Sequence, residues 1–195
     1  MTRIIGVSGS LRRGSFNTAL LKAAATLMPD GAELAVKTIH GIPLYDGDLE
    51  AAEGVPAPVA DLKDAIAGAD ALLLATPEYN NSLPGVFKNA IDWLSRPAAD
   101  IPRVFRGKPV ALIGASPGGF GTILSQNAWL PVLRTLGTDL WSEGRLLVSR
   151  ANTVIGDDGR ITDPKIEEQL RGFLRGFTAF VRTARSPGTS QQSGG

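Results

Sequence analysis

Five apolar runs alternating with stretches of helical periodicity constrain this chain more than any other feature. Arg3–Ser8 (RIIGVS), Asp70–Thr76 (DALLLAT) and Pro109–Ala115 (PVALIGA) are nearly continuous in apolar residues, the pattern of strands covered on both faces. Glu33–Ile39 (ELAVKTI) alternates as an edge strand does, and Leu140–Val148 contains a fifth strand. Phe16–Met28, Val59–Ala67, Gly85–Ser95, Thr122–Leu136 and Pro164–Thr183 read as helices. Pro131 lies inside the fourth of these and should kink or restart it, because it lacks an N–H and its ring crowds the preceding turn. Successive βα units imply a parallel sheet with helices on both faces.

Right-handed crossovers leave two main strand orders at this size, the half-Rossmann type and the flavodoxin-like 2-1-3-4-5. In either order ligands bind at the carboxyl ends of the strands, beside the switch in strand order. The loops after strands one, three and four are therefore expected to build a site. The sequence shows no internal repeat and no second domain. A single domain over residues 1–184 is expected, followed by a Ser/Gly/Gln-rich tail, 185–195, that has nothing to bury and is expected to be disordered.

Composition removes many chemistries. There is no cysteine, which excludes disulfides, thiol catalysis, iron–sulfur clusters and cysteine zinc sites. One histidine, His40, leaves no set of ligands for a multi-histidine metal site and argues against a Ser-His-Asp arrangement. Twenty Lys and Arg against nineteen Asp and Glu give a net charge of +1, which supports neither nucleic-acid nor anionic-membrane binding. No run approaches the roughly 20 apolar residues that cross a bilayer, and no signal-peptide core is present, so a cytoplasmic location is expected. Chemistry must come from a borrowed cofactor or from carboxylates, hydroxyls and backbone groups.

The loop after strand one, Gly9-Ser10-Leu11-Arg12-Arg13-Gly14-Ser15-Phe16-Asn17, carries two arginines, two serines and an asparagine but no acid, and it opens a helix. A helix N-terminus offers unpaired N–H groups and partial positive charge, to which hydroxyls and an amide add donors. The plain alternative is a capped helix with solvated arginines. Gly9 and Gly14 have the Walker spacing, but Ser15 and Phe16 stand where a P-loop needs Lys and Ser/Thr. The dinucleotide fingerprint G-x-G-x-x-G is absent, and no acid ends strand two to hold a ribose. Strand one lacks the acidic cluster of a phospho-acceptor receiver. What remains is a terminal phosphomonoester held by hydroxyls and backbone, as in FMN.

The loop after strand three runs Thr76-Pro77-Glu78-Tyr79-Asn80-Asn81-Ser82-Leu83-Pro84-Gly85, and that after strand four Ala115-Ser116-Pro117-Gly118-Gly119-Phe120-Gly121. Stiffening prolines, a ring and amides in one face three glycines in the other, which would let backbone approach a flat ligand closely. Taken singly, each is also an ordinary Pro/Gly turn.

Gly9–Leu20 (GSLRRGSFNTAL) and Pro77–Arg96 (PEYNNSLPGVFKNAIDWLSR) resemble the NADPH-dependent FMN reductase family, in particular its chromate and quinone reductase branch. Ile42–Asp46 (IPLYD) and the Gly107–Pro109 lead into strand four are similar as well. The resemblance implies a flavodoxin-like three-layer fold, with a five-stranded parallel sheet in the order 2-1-3-4-5. It implies bound FMN and transfer of electrons from NADPH or NADH to quinones, chromate or similar acceptors. It places the FMN phosphate on Ser10, Arg12, Ser15, Phe16 and Asn17. It places the isoalloxazine edge against Pro77, Glu78, Tyr79 and Asn80 on one side and Ser116, Gly118 and Gly119 on the other. An arginine that relatives often carry near Leu124, tied to tetramer contacts, is missing here, so a homodimer is expected and a tetramer stays open.

The expected activity is hydride transfer through flavin N5 in a ping-pong sequence, with no catalytic side chain and no metal; Glu78 is not needed as a base. An electron carrier that does not oxidise nucleotide, or a flavin-free regulatory protein on the same fold, are the alternatives. Phe87, Ala90, Ile91 and Leu94 form a core stripe on the helix Gly85–Ser95. Val86 and Trp93 sit beside that stripe, and the expectation is that they face a dimer partner. Tyr45 and Asp46 are expected in a long surface loop, and His40 is given no role.

Overall fold

The computed structural model describes residues 1–156 and 158–185. The strands are β1 (Thr2–Ser8), β2 (Ala32–Thr38), β3 (Ala71–Ala75), β4 (Pro109–Ala115), β5 (Asp139–Leu140) and β6 (Leu146–Val148). The helices are α1 (Phe16–Thr26), α2 (Gly47–Glu53), α3 (Ala57–Ala67), α4 (Gly85–Leu94), α5 (Ile101–Val104), α6 (Ile123–Leu136), α7 (Ala151–Val154) and α8 (Pro164–Arg185). The sheet runs β2-β1-β3-β4-β5, and every pairing in it is parallel. This is the flavodoxin-like order, with the switch in direction lying between β1 and β3.

Two apolar cores clamp the sheet. On one face α1 and α8 pack through Leu20, Leu21, Ala24, Leu170, Leu174 and Phe177. On the other, α3, α4 and α6 contribute Val59, Ile66, Phe87, Ile91, Trp129 and Leu133. All five residues of β3 and all seven of β4 are buried, which is why their sequences are unbroken apolar runs. β2 is an edge strand and buries only Leu34 fully.

Four details depart from the sequence reading. The fifth strand position is shared: β5 pairs with the start of β4 and β6 with its end, and between them Trp141 turns into the first core. Pro131 does not interrupt α6, because its ring lies on the exposed side while Trp129 and Leu133 hold the helix to the core. Helix α2 occupies part of the expected long loop; Asp46 caps it by accepting from the Asp48 N–H at 2.9 Å.

Trp93 is the fourth. It is not at a free surface but 0% exposed: its Nε1 donates to the Pro43 carbonyl at 3.0 Å and its ring meets Tyr45 edge-to-face at 5.0 Å. The segment after β2 folds over the indole, so its apolar area is satisfied within the chain. Val86 is half-buried against the same core. The tail expected at 185–195 lies outside the described residues, apart from Arg185, which closes α8. Among the described residues, no helix is long and apolar enough to cross a membrane.

Candidate functional site: three loops at the carboxyl end of the sheet

The parallel sheet brings the ends of β1, β3 and β4 side by side, so the three loops singled out by sequence meet at one edge. Gly9 leaves β1 with its N–H on the Ala75 carbonyl at 2.9 Å, and Thr76 leaves β3 with its N–H on the Ile113 carbonyl at 2.9 Å. At Gly9 a Cβ would collide with the Phe87 ring, so only glycine lets the first loop cross α4 here.

In the first loop both serines are buried and both already accept a hydrogen bond. Ser15 caps α1 by accepting from the Thr18 N–H at 3.2 Å, and Ser10 accepts from the Arg12 N–H at 3.3 Å. A hydroxyl that accepts keeps its own O–H to donate. The loop therefore presents two hydroxyl protons at the N-terminus of α1, where the helix has no acid in its first turn. That donor set fits a phosphate dianion. Arg12 is exposed; its Nη2 donates to the Gly14 carbonyl at 2.7 Å and its guanidinium stands 5.7 Å from the centre of the Phe16 ring.

Asn17 ties two of the loops together. Its Nδ2 donates to the Ala115 carbonyl and its Oδ1 accepts from the Ala115 N–H, both at 2.9 Å and both buried. The carboxamide continues the sheet past β4 and ties the first loop to the fourth-strand loop. His40 braces the first loop from outside: Nε2 donates to the Leu11 carbonyl at 3.1 Å, and Nδ1 lies 3.1 Å from the Thr38 hydroxyl. Sequence reasoning gave His40 nothing, and no local pattern marks it.

The loops after β3 and β4 are fastened to each other. One Glu78 oxygen accepts from the N–H groups of Leu124 and Ser125 at 2.8 and 3.1 Å. The first turn of α6 has no acid of its own and Thr122 makes no capping bond, so Glu78 caps α6 from the neighbouring loop. Beneath it Thr76 Oγ1 bonds to Ser125 Oγ at 2.8 Å and accepts from Trp129 Nε1 at 3.0 Å. Asn80 and Asn81 sit at φ 50° and 61°, the two left-handed positions of a tight turn closed by reciprocal Tyr79–Ser82 backbone bonds of 3.0 and 3.1 Å. Asparagine tolerates that backbone, so the two amides have a local conformational reason.

Ser116 accepts from the Gly118 N–H at 3.1 Å, and the Gly118 carbonyl accepts from the Arg150 N–H at 2.9 Å. At Gly119 an added Cβ would meet nothing within 4 Å, so the loop backbone is bare there. Pro77 is buried, while Tyr79 and Phe120 stand out at the mouth. Behind the crevice Arg96 bonds Glu50 at 2.9 Å, which holds the Glu50 carboxyl below its ordinary value; Tyr45 donates to the same oxygen at 2.9 Å. This pair fixes the loop over Trp93. No cluster of three or more His, Asp or Glu side chains able to hold a metal occurs among the described residues.

The chain is similar to known proteins over most of its length. Residues 2–153 match the NADPH-dependent FMN reductase family. An NAD(P)H-dependent FMN reductase of Pseudomonas aeruginosa is 42% identical over 183 residues, covering 94% of this chain and 97% of the relative. A 2-hydroxy-1,4-benzoquinone reductase of a Burkholderia species is 38% identical over the same share of this chain and 98% of its own. The solved structure of FerB, a flavoenzyme NAD(P)H:(acceptor) oxidoreductase of Paracoccus denitrificans, superposes with a TM-score of 0.83 at 36% identity, covering 94% of this chain and 99% of FerB.

Proposed function

The chain belongs to the NADPH-dependent FMN reductase family, and from that premise we propose how this FMN-dependent NAD(P)H oxidoreductase holds its cofactor and which acceptors it serves. Ser10, Ser15 and the first N–H groups of α1 hold the FMN phosphate, with Arg12 adding charge from the rim. Backbone at Pro77–Asn80 and at Ser116–Gly119 takes the edge of the isoalloxazine ring. Glu78 and Asn17 act through other groups: one sets the spacing between the ring loops, the other joins them to the phosphate loop. FMN, when bound, supplies the two-electron chemistry by which hydride from a reduced nicotinamide reaches an acceptor. The reading takes residues 1–184 as one flavin-binding unit working in the cytoplasm.

The observation that carries this reading is the pair of buried serine hydroxyls, each accepting from its own loop and left with a proton to donate at an acid-free helix N-terminus. Quinones are the acceptors that suit the exposed rings of Tyr79 and Phe120 at the mouth. Chromate is an incidental acceptor. Nicotinamide and quinone share one crevice and use it in turn, which is a ping-pong sequence. Leu44, 79% exposed, stands on a loop at this same edge, and a second copy of the chain covers it in a homodimer.

Anaerobic stopped-flow measurement tests the activity. NADPH or NADH alone should bleach the bound flavin, and added benzoquinone should restore the colour in one phase; steady-state plots should give parallel lines. A protein that holds FMN yet is bleached by neither nucleotide is an electron carrier instead. A colourless protein that cannot be loaded with FMN refutes the reading altogether. Light scattering reads the assembly, and a monomeric mass overturns the dimer.

A further inference from the structure

The fifth strand position is broken in the middle, and the break leaves a cleft. β5 ends at Leu140 and β6 begins at Leu146, so residues 141–145 bulge away from the edge of β4. Helix α6 passes beside the bulge, and the two enclose a cavity of about 290 Å³ with Leu112 of β4 in its lining. The bulge is braced from behind: the Trp141 ring packs edge-to-face on Phe173 with centres 4.9 Å apart, and a Cβ at Gly144 would collide with that ring. The cleft is therefore formed in the free protein, which lowers the ordering cost of any ligand. No residue of the loops after β1, β3 and β4 lines it, so it stands apart from the flavin crevice.

The lining has three chemical parts. Leu112, Leu130 and Leu140 make it apolar. Gln126, only 6% exposed, supplies a fixed acceptor: its Nε2 donates to the Leu146 carbonyl at 3.0 Å and to Thr122 Oγ1 at 3.2 Å. A carbonyl can only accept, so the amide cannot be turned over and Oε1 stays on the far side. That oxygen has no hydrogen-bond partner among the described residues and is not sealed from solvent. Gln126 is buried everywhere except toward the cleft, so the cleft is where its oxygen opens. Arg145 supplies a cation. It is exposed, it is the charged residue of the lining, and it forms no ion pair among the described residues. Glu143, two residues earlier, lies outside the lining.

A ligand that satisfies all three parts has an apolar body, one O–H or N–H donor and one anionic group. The volume lies at the lower end of small-ligand sites, roughly 300–1,000 Å³, which suits a single ring and not a nucleotide. We propose that the cleft binds a single-ring hydroxylated aromatic carboxylate, of the hydroxybenzoate class. The ring lies among the leucines, the phenol O–H donates to Gln126 Oε1, and the carboxylate meets the Arg145 guanidinium, whose fork matches two oxygens. A purely apolar ligand would leave the Gln126 oxygen covered and unpaired, which costs binding. An inorganic anion would leave the leucines wet. The proposal does not rest on the flavin reading.

The test is calorimetric titration of the protein as purified, in the wild type and in Arg145→Gln. The probes are 3- and 4-hydroxybenzoate, benzoate, and the hydroxybenzamide that matches the better isomer. Arg145 is exposed, so the variant keeps the fold, which the melting temperature checks. The better hydroxybenzoate should bind the wild type with a Kd of about 1 mM or tighter, the range open to about ten heavy atoms. Benzoate, which lacks the donor, should bind about fivefold more weakly. Arg145→Gln should weaken the hydroxybenzoate about fivefold and leave the uncharged hydroxybenzamide within about twofold. Flavin absorbance should stay unchanged throughout. Binding that shifts the flavin spectrum and ignores Arg145→Gln belongs to the crevice and overturns the proposal. So does an absence of heat from both isomers at about tenfold the expected Kd; a mass of four chains by light scattering would then give the cleft to a second copy.

Discussion

The loop after β1 and the loops after β3 and β4 are built in opposite ways. In the first loop the serines are held by their own neighbours, Ser10 by the Arg12 N–H and Ser15 by the Thr18 N–H, and their protons remain available. In the ring loops the polar side chains are engaged in building the loops. Glu78 caps α6, Asn80 fills a left-handed turn position and Ser116 binds the Gly118 N–H. One region leaves side-chain protons unengaged, and the other uses its side chains to fix the loops. A charged phosphate needs donors whose loss weakens binding by itself, whereas a flat ring edge needs two walls at a set distance. Substitutions in the first region should therefore act on affinity, and those in the second on stability and geometry.

Ser15→Asp puts the largest load on that contrast. Aspartate caps a helix as well as serine does, so the apoprotein should keep its stability within about 1 kcal/mol. A carboxylate near a phosphate dianion costs about 4 kcal/mol per charge pair at close range, so FMN affinity should fall by at least a hundredfold. Unchanged FMN binding would remove the phosphate from this loop.

Asn17→Ala probes the joint between the regions. It leaves the buried N–H and carbonyl of Ala115 without partners, and the apoprotein should lose about 2–4 kcal/mol in a urea titration. A wild-type apoprotein stability combined with weaker FMN binding would make Asn17 a ligand contact instead. Glu78→Ala uncaps α6 and should cost about 1–2 kcal/mol, with a rise in quinone KM as the ring loops part. Glu78→Gln keeps an acceptor and should recover part of both losses; a Gln variant as damaged as the Ala variant would contradict the capping role. His40→Ala is expected to be smallest, about 0.5 kcal/mol and less than a twofold change in FMN affinity, because the brace is exposed. A larger effect would mean that the first loop depends on outside support.

These contrasts also mark where the sequence could be read and where it could not. β1, β3 and β4 were legible because strands covered on both faces must be apolar throughout; β4 falls at the expected Pro109–Ala115. Helix α2 was not, because it buries no residue completely and so leaves only a weak periodic signal. Trp93 was misread because the loop that covers it is distant in sequence: Pro43 lies fifty residues away. At the site, the chemical character of each loop was visible in its composition. Which polar groups were already engaged was not, since Asn17 finds its partner 98 residues away and Glu78 finds its own 46 and 47 residues away. Long-range pairing, not loop composition, decides whether a side chain remains available to a ligand.

The account turns on the first loop gripping a phosphate through protons that its own fold leaves available. The most direct measurement is the affinity of the apoprotein for FMN against riboflavin, which differ only by that phosphate. Two or more hydrogen bonds to a charged group, each about 1.5–3 kcal/mol, predict that riboflavin binds at least about a hundredfold more weakly. Equal affinities for FMN and riboflavin would contradict it.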